Sequence, residues 1–429
     1  MARADLVTAG IPWYRTVSKE QWRAFFATFL GWVIDAFDYN ILAFVLIDIQ
    51  QSFTIDRTLA GALATVTLVM RLVGGVVAGT AADKWGRKLP MMLSIVWFSL
   101  FAFLSGFSTS YAMLFGFRAL FGIGMGGEWT SGMPLLLEHW PARLRGIASG
   151  LLLGGWYWGY LLAAAAFEFI YPVFNGIPDV GWRAMFWIAI IPAFFTLWIR
   201  NGVSESPVWL ARQQRLKEAA QGGNPIAEPK ISLVRIFQKD LLLTTIHTTA
   251  LIGAFMCSFY SIAHWYPTFL REGARSTLPF MVAFNIGAIV GTAVWGRLSE
   301  TKLGRRGAVT ITALVGVAAI PLYLHAASAS FLILGAWLMG AFGCGIWGMA
   351  PAYVTERYPT ATRGVGPGFC YHAAAAIGSI MPILIGRLQD NGMDVAVAMT
   401  IPIAVSLTSS AILIWLGPET RGRLFTDAP

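Results

Sequence analysis

Charge is what this chain has least of. Only 12% of its 429 residues are Asp, Glu, Lys or Arg, against about 25% in an ordinary soluble domain. So few charges cannot cover the water-facing surface of a chain this long. Cysteine is scarcer still: Cys257, Cys344 and Cys370 all fall in apolar runs without metal-ligand spacing, which argues against a disulfide framework or a zinc module. The chain contains no H-E-x-x-H, no G-x-S-x-G, no Walker A loop and no C-x-x-C. It therefore offers no reading as an enzyme of those classes, and no bound nucleotide to supply energy. Residues 122–127 are rich in glycine, but they sit inside an apolar run and follow no strand, so they are not a dinucleotide loop. The first twenty residues are polar and the first apolar run, from near Trp22, is long enough to span a bilayer, so no cleavable signal is expected.

What the chain does have is apolar length. It is 56% hydrophobic, and a spanning helix needs about 20 such residues. Twelve runs qualify, near 22–49, 58–81, 89–107, 111–138, 146–172, 182–200, 241–270, 276–298, 307–326, 330–356, 364–388 and 394–417. The expected fold is an all-α membrane protein of twelve transmembrane helices. The net charge of +9 raises the question of nucleic acid, but its distribution answers it. Arg71 and Arg118 lie inside runs, and only Arg57, Arg183, Arg271, Arg275 and Arg387 fall in loops assigned to the outside. The other 24 basic residues fall in the N-terminus, alternate loops and the tail, the positive-inside pattern with both termini cytoplasmic. The basic balance then reports topology and contact with anionic lipid, and no nucleic-acid partner is expected.

The runs repeat in two sets of six. Glu138-x-x-Pro141-x-x-x-Arg145-Gly146 returns 218 positions later as Glu356-x-x-Pro359-x-x-x-Arg363-Gly364. Gly79 has a degenerate counterpart at Gly296, followed by Glu300 and Gly304-Arg305-Arg306. Glu205 after run six is echoed by Glu419 after run twelve. Residues 1–200 and 241–429 are thus expected to form two pseudo-symmetric six-helix halves. Residues 201–240 would be a polar, basic linker carrying a short amphipathic helix on the membrane surface. Two parallel repeats with a site between them at the midplane is a transporter architecture.

The turn Gly79–Lys88, GTAADKWGRK, joins runs two and three. Its glycines permit positive φ or close backbone approach, its basic residues mark the cytoplasmic side, and Asp83 can accept from a neighbouring helix N-terminus. This pattern resembles the loop between helices 2 and 3 of the major facilitator superfamily. The resemblance implies conformational gating by Gly79, Asp83, Gly86, Arg87 and Lys88, with Glu138, Arg145, Glu356 and Arg363 in the repeated segments.

Ionisable residues inside a bilayer cost about 2.5–3.5 kcal/mol each, so each needs a partner or a task. They concentrate in the first half, at Asp35, Asp38, Arg71, Arg118, Glu128 and Glu168. Asp35 and Asp38 are one helical turn apart on one face. Two close carboxylates resist joint ionisation, which suits one of them, Asp38 above all, to carrying a proton. Arg118 shares a stripe with Gly122 and Gly126, where another backbone can approach, and is placed to pair with Asp35 or Asp38 until a proton arrives, or structurally with Glu128. Arg71, always cationic, can anchor a substrate carboxylate through two parallel hydrogen bonds. Glu128 is either a second proton site or the counter-charge to Arg71, and Glu168, near the outer end of run five, is expected to be a gate or interface residue. Trp156, Tyr157, Trp158 and Tyr160, then Tyr260, His264, Trp265 and Tyr266, then Tyr371 and His372, offer rings with polar tips for a cavity wall. Of these, Trp156, Tyr157, Tyr371 and His372 join Arg71 and Arg118 as candidate substrate residues.

Gly31-x-x-x-Asp35-x-x-Asp38 and Arg118-x-x-x-Gly122-x-Gly124-x-Gly126 resemble helices 1 and 4 of proton-coupled members of the superfamily. With Ile11–Arg15, Gln21–Phe25, Gly74-Gly75, Gly124–Glu128 and Gly181–Arg183, the resemblance narrows to the sialate:proton symporter family over roughly residues 11–210. It implies uptake of N-acetylneuraminate or a related carboxylate across the inner (plasma) membrane by a functional monomer. A proton gradient would be the energy source and no cofactor would be needed. The chain departs from that family in having twelve runs where some sialate permeases carry an extra central pair, and in Trp129 after Glu128. The lactate permease signature of helix 7 is met only at His247 and Thr249. Symport of lactate, another small carboxylate or a sugar is the alternative. A transport-dead sensor is disfavoured by the short segment after run twelve, and an exporter of cations by the two intramembrane arginines.

Overall fold

A computed structural model describes residues 13–140, 145–194, 198–199, 202–221, 234–273, 275–358 and 365–421. Among the described residues the regular structure is helical, and ten helices are long and apolar enough to cross a membrane. Tyr111–His139 and Val180–Trp187, the latter prolonged by a 3-10 segment Ile188–Phe194, fill the fourth and sixth places. The twelve spans begin with the helices α1 (Lys19–Phe44), α2 (Arg57–Trp85), α3 (Lys88–Ser105), α4 (Tyr111–His139), α5 (Arg145–Phe169), α6 (Val180–Trp187), α7 (Lys239–Ala263), α8 (Leu278–Leu298), α9 (Gly304–Leu324), α10 (Ala329–Leu338), α11 (Val365–Gly378) and α12 (Val395–Leu416). The helix Pro207–Gln221 lies between the sixth and seventh.

Local chemistry sets the starts. Ser18 and Gln21 form a reciprocal capping box at α1, and Asp56, Ser110 and Ser328 accept from the first turns of α2, α4 and α10. Each such cap satisfies backbone donors that would otherwise be orphaned, and contributes about 1 kcal/mol. Several expected continuous runs are broken, among them run one, which restarts after Val45 as Leu46–Phe53. Run seven bends at His264-Trp265 before Tyr266–Glu272, where Pro267 sits in the first turn. Run ten passes through a π turn at Met339–Gly343, with Cys344 N–H donating five residues back to Met339, and a 3-10 turn at Gly345–Gly348 before Ala350–Thr355. Run eleven restarts after Ser379 as Ile380–Asp390, where Pro382 occupies the first turn.

Close approach of α2 and α4 organises the first half. A Cβ at Gly122 or Gly126 would run into the backbone carbonyl of Thr67 or Arg71. The Thr67 hydroxyl donates to the Arg118 carbonyl at 3.1 Å. The glycine stripe therefore brings the two arginine-bearing helices into backbone contact. Between the halves, α2 packs on Ile380–Asp390 and α5 on α8.

One face of the bundle, here the basic face, carries the two repeated corners. Gly86 has φ +93 and Gly304 has φ +70, a region open to glycine but strained for other residues. Beside Gly86, the Glu205 carboxylate accepts from Arg87 N–H at 2.8 Å and Lys88 N–H at 3.1 Å, and Arg87 reaches Glu138 at 3.5 Å. Beside Gly304, Glu419 accepts from Arg305 and Arg306 N–H, both at 3.0 Å, while Arg305 pairs with Glu356 at 2.9 Å and Glu300 at 2.5 Å. The second corner, degenerate in sequence, keeps the same chemistry. Burial alone would raise the Glu419 carboxyl, but backbone N–H groups of Arg306, Arg421, Arg305 and Thr420 hold it below the usual range. Gly79 lies in the last turns of α2, against Thr130. The side chains of Asp83 and Arg145, and residue Arg363, lie outside the described residues.

Candidate functional site

The first-half charges converge at mid-depth. On α1, Trp32, Asp35 and Tyr39 fall at i, i+3 and i+7, one helical face, and that face meets Arg71 of α2. Arg71 lies about 21 Å along its helix at 1.5 Å per residue. Its guanidinium is 3.8 Å from the Asp35 carboxylate. Three rings surround it at 5.3 Å (Trp32), 5.9 Å (Trp156) and 5.5 Å (Tyr371), within cation–π range. Tyr371 comes from the second half, so the cage is built across the half interface. Trp129, one helical turn beyond Gly126, stacks on Tyr371 at 4.7 Å and leans on Trp32 at 4.8 Å. That stack floors the cage toward the basic face. Beside it the His372 ring meets the Thr130 hydroxyl at 3.2 Å.

Asp35, Asp38 and Arg118 are fully buried, and Arg71 and Glu128 are 1% exposed. Yet the protein supplies hydrogen-bond partners for neither oxygen of Asp35 or Asp38, for none of the three Arg118 side-chain nitrogens, and not for Nε or one terminal nitrogen of Arg71. Trp32 Nε1, Trp156 Nε1, Tyr39 OH, His372 Nδ1 and one Glu128 oxygen are likewise unpartnered. Buried polar groups are nearly always paired, so a cluster with this many open donors and acceptors is built to meet something other than protein.

Part of the expected pairing is corrected here. Asp35 pairs with Arg71, whereas Arg118 has no carboxylate within 4.0 Å among the described residues. Its guanidinium instead lies over the rings of Phe121 at 4.2 Å and Phe186 at 5.8 Å. Glu128 forms no ion pair with either arginine; its carboxylate lies against Gly31 and Gly132. The reason is depth: Arg118 is nearer the face opposite the basic one, about two turns of α4 away from the level of Arg71. Tyr157 lies against Phe259 at 6.3 Å, near the cage but outside it. Trp158 is 47% exposed on the outer surface and cannot line an internal site, while the Tyr160 hydroxyl donates to Ala263 O at 2.5 Å across the halves. His264 is buried near the far end of α7, and Tyr266 stacks on Tyr323 at 4.3 Å within the second half. Trp32 and Tyr39 were not singled out from sequence, though their spacing with Asp35 was a usable signal, and Trp129 was noted there only as a departure from the family pattern.

At the face opposite the basic one, the halves are clamped. Arg271 donates to Phe44 O at 2.7 Å and to Asp48 at 2.7 and 3.3 Å, between the rings of Phe167 and Tyr171. Arg57 pairs with Glu272 at 2.6 Å. Asp390 accepts from the N–H groups of Arg57 and Thr58 at 3.0 and 2.7 Å. Ser276 donates to Glu168 at 3.3 Å, which puts Glu168 at the interface it was expected to guard. With the clamp on one side and the Trp129–Tyr371 stack on the other, the charge cluster is closed from both faces.

Two broken-helix halves around a sealed, charged, aromatic midplane site define a secondary transporter. The chain belongs to the Major Facilitator Superfamily, whose family model matches residues 28–280; that of the family "Sugar (and other) transporter" matches residues 243–421. It is 30% identical to a probable 4-methylmuconolactone transporter of Cupriavidus pinatubonensis, covering 96% of this chain and 93% of that protein. It is 29% identical to the sialic acid transporter NanX of Escherichia coli, covering 96% and 98%. Among solved structures it resembles the inward-open conformation of the xylose transporter XylE from E. coli, with a TM-score of 0.76 at 18% identity over 94% of this chain and 98% of that one. The chain is therefore a multi-pass membrane transporter of organic substrates, and its relatives are transporters rather than enzymes.

Proposed function

We propose that this protein is a proton-coupled symporter of an organic anion, most simply a sialic acid such as N-acetylneuraminate. The observation that carries this reading is the Arg71–Asp35 pair at 3.8 Å inside the Trp32, Trp156 and Tyr371 cage. A substrate carboxylate would take the guanidinium donors that Asp35 does not satisfy. A proton on Asp35 or Asp38 would weaken the carboxylate's claim on the arginines and free them for substrate. The open donors at Trp32 Nε1, Trp156 Nε1 and Tyr39 OH suit a substrate bearing several hydroxyl and amide acceptors, and NanX is named for such a substrate. The basic face would be cytoplasmic, with both termini there and the clamp toward the outside, so that transport is uptake across the inner membrane. Protons and substrate would be the partners of a functional monomer, with no cofactor. Rocking of the halves would break the clamp when the site opens outward.

A second reading has its own support. The 4-methylmuconolactone transporter is as similar as NanX, and a compact ring-bearing acid would fill a cage of three aromatic rings with few polar contacts. Uptake into proteoliposomes, with and without an inward proton gradient, separates these readings. Gradient-driven accumulation of N-acetylneuraminate that muconolactone and lactate do not inhibit supports the first. Accumulation of the lactone acid alone keeps the symport and discards sialate. Uptake indifferent to the gradient discards proton coupling.

A further inference from the structure

The buried cluster is unbalanced. Two guanidiniums, Arg71 and Arg118, face three carboxyls, Asp35, Asp38 and Glu128, all at most 1% exposed. No lysine lies among them, and the other titratable groups packed around the cluster, Tyr39 on α1, Tyr157 and Tyr160 on α5, Tyr260 on α7, His264 just beyond it, and Tyr371 and His372 on α11, are tyrosines and histidines, types that carry no charge between about pH 6.5 and 10 at their ordinary values. With every acid ionised, the sealed site would hold one negative charge too many. An uncompensated ion in such surroundings costs several kcal/mol. That penalty applies whenever the site is closed from both faces, and both the empty and the loaded carrier must pass through such a state.

We infer that transport is electroneutral: the cluster keeps one proton throughout the cycle and takes up one further proton for each negative charge of the substrate. The inference rests on the proton–anion symport proposed above. The empty, closed carrier is neutral when a single carboxyl of the three is protonated. A monoanion adds one charge, and one more proton restores balance, so the net movement is one proton with one monoanion. Geometry assigns the retained proton to Glu128. Asp35 has the Arg71 guanidinium at 3.8 Å, and Asp38 is on the same α1 face one turn nearer Arg118. Glu128 instead lies against Gly31 and Gly132, with no cation within 4.0 Å among the described residues. Asp38 and Asp35 are left as the carboxyls between which the moving proton is exchanged. A dianionic substrate would, by the same balance, require two moving protons.

The test measures charge and protons separately. Proteoliposomes holding a lumenal pH dye and potassium are given a panel of labelled acids, N-acetylneuraminate, muconolactone and lactate, with valinomycin setting the membrane potential independently of the pH gradient. The expected result is accumulation driven by the pH gradient, unchanged within twofold between 0 and −100 mV, with one proton entering per monoanion. Glu128→Gln should keep that ratio at one, whatever its rate, because it replaces a carboxyl that never releases its proton. Accumulation that the pH gradient drives and the potential also drives overturns electroneutrality while leaving symport standing. A Glu128→Gln ratio near zero overturns the assignment of the retained proton. Absence of gradient-driven uptake of any acid in the panel overturns the symport reading and the inference with it.

Discussion

The clamp at Arg271 ties the two halves together at the face opposite the basic one, and its removal has a calculable effect. Arg271 belongs to the second half and all its hydrogen-bond acceptors belong to the first: Phe44 O and both Asp48 oxygens. The pair is 19% and 17% exposed, so it is neither a solvent-screened surface contact nor a dry one. A hydrogen bond to a charged group contributes about 1.5–3 kcal/mol net, and the flanking rings of Phe167 and Tyr171 add a smaller cation–π share. In the alternate state Arg271 and Asp48 are rehydrated, which offsets part of this. We take about 2 kcal/mol as the bias, roughly 30-fold in the ratio of the two states. The neighbouring Arg57–Glu272 pair is about a third exposed on both sides and adds less than about 1 kcal/mol. The reporter is Thr65→Cys in a protein whose native cysteines have been replaced. The Thr65 hydroxyl donates to Ser379 O at 2.6 Å across the halves and the residue is half-buried, so a thiol there reacts faster when this side opens. Arg271→Ala is expected to raise its alkylation rate by roughly 30-fold, and Arg271→Lys, which keeps the charge but not the fork, by less. A rate within twofold of the parent in both variants would refute the reasoning, because it would mean that the clamp does not bias the equilibrium.

Three further outcomes are expected. Arg71→Gln leaves Asp35 without its counter-charge, a loss of about 3–5 kcal/mol for a broken buried pair; uptake at low substrate should fall more than 100-fold, and Arg71→Lys should recover only part of it. Gly86→Ala and Gly304→Ala each place a Cβ at positive φ against the Glu205 or Glu419 carboxylate, at a cost of about 1–3 kcal/mol, read as a lower thermal midpoint in detergent. The lowered Glu419 carboxyl contributes stability that is present above the ordinary carboxyl value, about 4.3, and lost as pH falls through its folded value; Glu419→Gln should flatten the acid limb of the thermal midpoint against pH and leave the alkaline limb unchanged.

Some of this was legible in the sequence because it depends on length, periodicity and repetition. Twelve apolar runs gave the spans, and the repeat of Glu138 at Glu356 and of Glu205 at Glu419 foretold two corners with one chemistry. Intramembrane charges pointed to the cluster because such groups are too costly to be idle. The pairing was not legible. Whether Asp35 meets Arg71 or Arg118 depends on the rotation and depth of three helices, which spacing within one helix does not encode. Trp129 read as a departure from a family pattern, and only its stack on Tyr371 from the other half reveals it as the floor of the cage. Arg271 looked like a loop charge because the break at His264-Trp265, which turns Tyr266–Glu272 toward α1, leaves no mark in hydropathy.

The central claim, that this cluster couples a proton to an organic anion, is tested most directly by comparing exchange with accumulation in Asp38→Asn. Labelled N-acetylneuraminate or lactone acid is measured in proteoliposomes, first against an equal internal pool and then against an inward proton gradient. The account predicts that exchange across the bilayer persists while gradient-driven accumulation disappears. Accumulation to the parental level with the parental pH profile would contradict it.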